Sequence, residues 1–403
     1  MSPLVTYRRL LNLAGPGYVI VAFLGRLPLA MSQLGALLLV STATGRYTAG
    51  GLTAGTLAAA NAIGAPVAGA IADRVGQRPV VLTQSLVAAT ALAGLVGLVT
   101  ADAPLQNVVA VAAVVGLAIP QVGPLARVRW RPMTTKAGDA QSRLIDAAFS
   151  YEGAADEASF VLGPALVGAI AVLINPGAAL LVAAALLAVF GCWFALHPTA
   201  RAGHHGADGA ALQRRLITAG LVILAAAQLL IGVIFGATQT GTAALATLEG
   251  KPGVAGLVHA LLGVGSVIAG LSVAGLPERF GYERRLVTFA GALFILSAPL
   301  LAVGTISALV PVVIALGFAV APYMITVFTL AERIVPPNRV GTAATLLAGA
   351  TGIGYALGSA LAGGLADLGG YRPAFAVTVT AGTVALLLAV IVRPRLAGAA
   401  RRY

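Results

Sequence analysis

Charge is what this 403-residue chain has least of: 9% of its residues are Asp, Glu, Lys or Arg, against about a quarter in an ordinary soluble domain. With 59% apolar residues and a mean hydropathy of +0.95, that scarcity argues against a cytosolic enzyme and excludes a disordered chain. Cysteine occurs once, at Cys192, so no disulfide scaffold and no cysteine-based metal or redox centre is expected. No Gly-x-x-x-x-Gly-Lys-Ser/Thr loop and no His-Glu-x-x-His is present, which leaves neither a Walker nucleotide site nor a zinc site of this chain's own. No cofactor is therefore expected. Lysine is nearly missing, with Lys136 and Lys251 the two examples. The arginine, alanine and glycine bias points to a GC-rich bacterial genome.

Long apolar runs are what the chain has instead. A helix needs about 20 apolar residues to cross ~30 Å of hydrocarbon. Twelve such segments are predicted, at 17–40, 50–72, 79–100, 106–126, 153–174, 177–196, 216–240, 252–276, 286–304, 307–330, 343–366 and 371–392. The short alternating segments of a membrane β-barrel are absent. The first run, from about residue 17, has full span length, so it reads as a retained helix rather than a cleaved signal.

The formal charge of +12 reads as topology, not as a nucleic-acid footprint. The N-terminus, the even-numbered loops and the C-terminal tail hold 21 of the 25 basic residues, the other face holds Arg46, Lys251 and Arg372, and Arg26 lies inside a span. The bias puts both termini in the cytoplasm of a bacterial plasma membrane. Trp130 and Trp193 fall at cytoplasmic span ends, as interfacial tryptophans do.

The polar stretch 197–215 divides six spans from six, giving an N-terminal bundle (1–196), a linker and a C-terminal bundle with a short tail (216–403). Its His197, His204 and His205 admit two readings, a metal site or a flexible linker, and composition favours the linker. The halves echo each other. After the second span comes Gly69-Ala-Ile-Ala-Asp73-Arg74-Val-Gly76-Gln-Arg78, and 206 residues later Gly275-Leu-Pro-Glu278-Arg279-Phe-Gly281-Tyr-Glu-Arg284-Arg285. At the same offset Arg127 falls on Arg333. A weaker echo, Gly364-Leu-Ala-Asp367-Leu-Gly369-Gly-Tyr-Arg372, follows the eleventh span on the opposite face. Such repeats are a sign of a transporter that rocks one half against the other.

The loop Gly69-x-x-x-Asp73-Arg74-x-Gly76-x-Arg78 resembles the signature loop of the major facilitator superfamily, and the twelve spans in a 6+6 layout extend the resemblance over nearly the whole chain. The fold it implies is all-α, with two pseudo-symmetric six-helix bundles. It also implies a cytoplasmic gate in which these charges lock the halves together when the cavity faces out. Gly69 would admit a close helix neighbour and Gly76 a tight turn. Asp73, at a helix C-terminal end where the macrodipole disfavours an anion, needs a partner such as Arg78 or Arg127. The plain alternative is a positive-inside turn.

Charges inside the membrane cost about 2.5–3.5 kcal/mol or more each, so they are functional candidates by default. Arg26 sits about ten residues into the first span beside Pro28; it is either a functional charge or snorkels to the interface. In the fifth span Glu152 and Asp156 share a helix face and Glu157 turns away. Asp156 or Glu157, with Arg26, is the candidate group for proton coupling or substrate pairing. Glu152 alternatively pairs with boundary arginines such as Arg74 or Arg129. By the 206-residue offset the acids correspond to Gly358, Ala362 and Gly363, and so belong to the first half alone. His259, in the eighth span, is either a proton-coupling group or an inter-helix hydrogen-bond partner. Gln33, Asn61, Gln121, Gln228, Gln239, Tyr323 and Tyr355 are further polar candidates for a cavity or for helix contacts.

Gly163-Pro164-x-x-x-Gly168 resembles the antiporter motif of drug-exporting members, with Ser159 and Val167 where further glycines would be expected, and the arginine-centred motif of the fourth span is absent. Gly51-x-x-x-Gly55 and Gly354-x-x-x-Gly358 suit internal packing better than a dimer face, so a monomer is expected. The preferred function is proton-coupled efflux of a small molecule. Proton-linked uptake or uniport of a metabolite, a non-transporting sensor and, distantly, an intramembrane hydrolase are the rivals.

Overall fold

The computed structural model describes residues 3–201, 218–273, 280–335 and 340–399. Helix α1 (Pro3–Ala14) precedes the first span, α2 (Pro16–Thr44). There follow α3 (Tyr47–Val75), α4 (Gln77–Thr100), a fourth span broken into α5 (Leu105–Ala118) and α6 (Val122–Thr134), α7 (Gln141–Leu173), and a sixth span built from α8 (Pro176–Leu186), a π-turn and α9 (Cys192–Leu196). The second half contains α10 (Ala219–Leu248), α11 (Val254–Val273), α12 (Tyr282–Ser297), α13 (Ile306–Ile334), α14 (Val340–Gly369) and α15 (Tyr371–Ala399). Among the described residues eleven helices are long and apolar enough to span a membrane, and a shorter apolar helix covers Val254–Gly270.

Local chemistry sets the boundaries. Gly45 ends α2 with φ 67°, the left-handed conformation glycine tolerates. Asn175, Thr218 and Thr305 cap α8, α10 and α13 with their side-chain oxygens. Pro120 supplies no amide hydrogen and parts α5 from α6.

Two predictions require correction. The fourth span does not end at residue 126; it runs to Thr134, because Arg127 and Arg129 find partners inside the bundle and carry the helix past the point where unpaired charge would stop it. The 206-residue offset also drifts. Helix α7 ends at Leu173 and α14 at Gly369, 196 residues apart. The counterparts of Glu152 and Asp156 are thus Ala348 and Gly352, not Gly358 and Ala362.

Within the first half α2 packs on α3, α7 and α8; within the second, α10 packs on α14 and α15. The halves meet mainly through α3 against α14 and α7 against α11. Both contacts lie toward the arginine-poor face. A Cβ on Gly51 or Gly55 would strike the α14 backbone at Ser359 or Ala356, and one on Gly168 would lie 2.7 Å from Leu257 N of α11. Backbone contact of this kind is how membrane helices associate. The α3 face that touches α14 at Gly51, Gly55, Ala58 and Ala62 continues at helical spacing through Gly69 and Asp73. There, among the described residues, nothing lies within 4 Å of a Cβ built on Gly69, and Asp73 is exposed. The expected close neighbour of Gly69 is thus absent among the described residues.

Candidate functional site

The described residues contain three ion pairs, and all belong to one cluster in the first half. Arg26 projects from α2, its Nε donating to Ala22 O at 3.1 Å. Its Nη2 donates to Glu152 Oε2 at 2.5 Å and its Nη1 to Asp156 Oδ1 at 2.9 Å. Asp156 Oδ2 accepts from Arg127 Nη2 of α6 at 2.6 Å. Trp130 Nε1 donates to Glu152 Oε1 at 2.7 Å. Three helices thus converge through alternating charges, with two cations balancing two anions, as a low-dielectric site requires.

The cluster has a buried end and an open end. The side chains of Arg26 and Glu152 are 3% and 0% exposed, those of Asp156 and Arg127 26% and 32%. Tyr18 seals the buried end, its ring 5.5 Å from Trp130 and nearly perpendicular to it. The approach of α6 to α7 depends on Gly123, where a Cβ would lie 2.5 Å from Asp156 Oδ1.

Spacing put Glu152 and Asp156 on one helix face, and Arg26 was expected to meet Asp156 or Glu157; the structure joins Arg26 to Asp156 and also to Glu152. It moves other residues. Arg127 turns to Asp156, not to Asp73. Trp130 is fully buried rather than interfacial, because its indole N–H has a carboxylate to meet. Trp193 is half exposed. Glu152 pairs with neither Arg74 nor Arg129. Arg129, itself buried, donates to Gln77 Oε1 and Phe194 O at 2.9 Å and lies 3.6 Å above the Phe194 ring. Gly123 was legible as a residue but not as the space the carboxylate needs.

Asp73, Arg74 and Arg78 are exposed, and Asp73 has no ion-pair partner among the described residues. Gly76 turns the chain between α3 and α4 with φ 91°. Gly275, Glu278 and Arg279 lie outside the described residues, as does the Glu157 side chain. Arg285 is buried and donates to Phe280 O at 2.7 Å. Gly163 presses on Ala30 of α2, while Pro164 and Gly168 face Gly256 of α11 across the boundary between halves. His259 Nδ1 is buried with no hydrogen-bond partner among the described residues. Tyr355 donates to Gln239 at 2.9 Å and Tyr323 to Ala227 O at 3.2 Å, both between helices, and Gln121, in the break between α5 and α6, donates to Asn61 of α3 at 3.1 Å. No group of three metal-binding side chains occurs among the described residues.

Residues 242–402 match the model of the Major Facilitator Superfamily. No curated protein matches the chain significantly. Among solved structures, the nucleoside transporter NupG superimposes with a TM-score of 0.69 at 15% identity, covering 95% of this chain and 99% of that one. A POT family transporter in complex with a thioalcohol-conjugated peptide gives 0.67 at 13% identity, covering 96% of each. The peptide transporter POT in complex with sulfate gives 0.66 at 15%, covering 95% and 94%. These similarities fix the architecture: twelve membrane helices in two six-helix halves, the fold of the major facilitator superfamily.

Proposed function

We propose that this chain is a monomeric secondary transporter of the major facilitator superfamily, in a state open toward the cytoplasm, that exchanges protons for a small molecule and exports it. The observation that carries the reading is the contact between halves. Among the described residues the close backbone contacts lie toward the arginine-poor face, and the open end of the charge cluster stays partly exposed. Assigning the arginine-rich face to the cytoplasm follows the positive-inside bias. Asp156 is the coupling group because it alone joins both arginines. A proton on it would leave Arg26 and Arg127 opposed by Glu152 only, an excess positive charge that a low-dielectric site cannot hold without rearranging. Efflux is favoured by the Gly163-Pro164-x-x-x-Gly168 motif, which lies at the seam the two halves share.

Uptake is the second reading, favoured by Arg127: once Asp156 is protonated, this partly exposed guanidinium would be free to hold an anionic substrate. The test uses proteoliposomes loaded with a pH-sensitive dye and challenged with nucleosides, short peptides and amphiphilic cations. Wild type should move protons with one class, and Asp156→Asn should lose the proton movement while remaining folded. Proton-coupled flux that persists in Asp156→Asn would sink the assignment of the coupling group. The sign of the pH change with an imposed substrate gradient separates export by exchange from import by symport.

A further inference from the structure

The closing contact on the arginine-poor face holds an arrangement that neither half completes alone. Helix α3 begins at Tyr47 with Arg46 in the capping position, and no side chain of its own half caps it. Arginine has no acceptor to offer, so the first amides of α3 are left without a local partner. Asp367 lies in the last turn of α14, where the helix dipole is unfavourable to an anion. Across the boundary these two defects cancel. Asp367 Oδ1 accepts from Tyr47 N at 2.6 Å, and Oδ2 accepts from Thr48 N at 2.8 Å and from the Thr48 hydroxyl. Close backbone approach secures the position, since a Cβ on Gly363 would lie 2.5 Å from Tyr47 O.

We propose that Asp367 is a latch: the C-terminal end of α14 caps the N-terminus of α3 in the other half only while the arginine-poor face is closed, and it releases those amides to water when that face opens. A solvent-open groove runs beside the contact, bordered by Gly45, Arg46, Gly364 and Leu368. Water therefore reaches the separated groups at once, which keeps the latch reversible. The inference rests on the alternating-access reading above. It gives a role to the third echo of the loop motif, Gly364-Leu-Ala-Asp367, which lies on the face opposite the other two.

The test is a distance measurement on the full chain in lipid nanodiscs. Spin labels go on Gln106→Cys in the first half and Leu248→Cys in the second, both exposed on the arginine-poor face, in a Cys192→Ser background. Wild type should show a dominant short separation and a minor long one. Asp367→Ala should raise the long-to-short ratio about five-fold, the effect of losing one helix cap, and the isosteric Asp367→Asn should raise it less. Glu249→Gln is the control. Glu249 Oε1 caps Ile306 N at 2.7 Å within one half, so its loss should leave the ratio unchanged. The latch is overturned if Asp367→Ala leaves the ratio alone, or if Glu249→Gln moves it equally. A single separation in wild type under every pH and ligand condition would overturn both the latch and the alternating-access reading. Two populations that ignore Asp367 would overturn the latch alone.

Discussion

Neutralising Glu152 separates a structural charge pair from an incidental one. Glu152→Leu removes the acceptor of both Arg26 Nη2 and Trp130 Nε1. Removing one partner of a buried pair typically costs about 3–5 kcal/mol, because the remaining charge stays desolvated. Two features bear on the figure here. Arg26 keeps Asp156 at 2.9 Å and Ala22 O at 3.1 Å, which lowers it; an orphaned indole N–H adds about 1–3 kcal/mol. We expect about 4 kcal/mol for Glu152→Leu, and about 2 kcal/mol for Glu152→Gln, whose amide oxygen still accepts. For a bundle of about 200 residues these correspond to losses of roughly 10 °C and 5 °C in the unfolding midpoint. The double variant Arg26→Met/Glu152→Leu removes both charges, leaves Arg127 with Asp156, and should recover the share due to the stranded guanidinium, as apolar replacements of buried pairs do, keeping only the cost of about 1–3 kcal/mol for the orphaned Trp130 N–H. The chain provides its own reporter. Trp193→Phe leaves Trp130, which touches Glu152, as the sole tryptophan, so its fluorescence follows unfolding at the cluster. A Glu152→Leu midpoint matching wild type would refute the reasoning. So would a double variant no more stable than Glu152→Leu.

Gly123→Ala adds a methyl 2.5 Å from Asp156 Oδ1 and should push the carboxylate off its arginines. Substrate-driven proton flux should fall at least ten-fold while the thermal midpoint drops by no more than about 5 °C; unchanged flux would show that the Asp156 geometry is dispensable. His197, just beyond the sixth span, is held below the ordinary histidine range by burial and then by the Arg129 charge. Its unfolded form binds a proton more readily, so its contribution to stability is constant above about pH 6.5 and declines as pH falls below that value. Histidine-selective NMR should place its titration below 6.5, and a midpoint at or above that value would contradict the packing around Arg129.

The architecture was legible because the bilayer writes it in apolar runs of fixed length and in loop arginines. Eleven of the predicted segments correspond to helices long and apolar enough to cross a membrane, and the eighth to a shorter apolar helix, among the described residues. The charge cluster was legible only in part. Arg26, Glu152 and Asp156 stood out because charge inside an apolar run is expensive wherever it occurs. Arg127 and Trp130 did not, since each sits where a loop arginine or an interfacial tryptophan is also ordinary. Only the helix crossing reveals that both point inward. The capping of α3 by Asp367 was beyond reach for a different reason. It joins residues 320 apart in sequence, and neither local pattern announces a partner.

The two halves share a fold but divide its labour, and packing explains why. In the first half α7 carries Glu152 and Asp156, with Gly123 opposite making room for the carboxylate. At the matching depth of the second half α14 carries Ala348 and Gly352, and a Cβ on Gly352 would already lie 3.0 Å from the Ala62 side chain of α3. A carboxylate there would hold α3 and α14 apart and bury charge against an apolar wall. The seam between halves relies on small residues such as Gly51, Gly55, Gly168 and Gly363, while the proposed coupling group needs an ionisable side chain with space to rearrange. The α7 helix reconciles the two by length: its contacts with α11 run from Val161 to Val172, beyond Asp156 toward the arginine-poor face. Helix α14 contacts α3 from Gly352 to Asp367, so the position matching Asp156 lies inside its contact. Among the described residues the ion-pair cluster therefore sits in the half whose seam helix leaves that position free, and the repeat can be symmetric in fold without carrying the same charges.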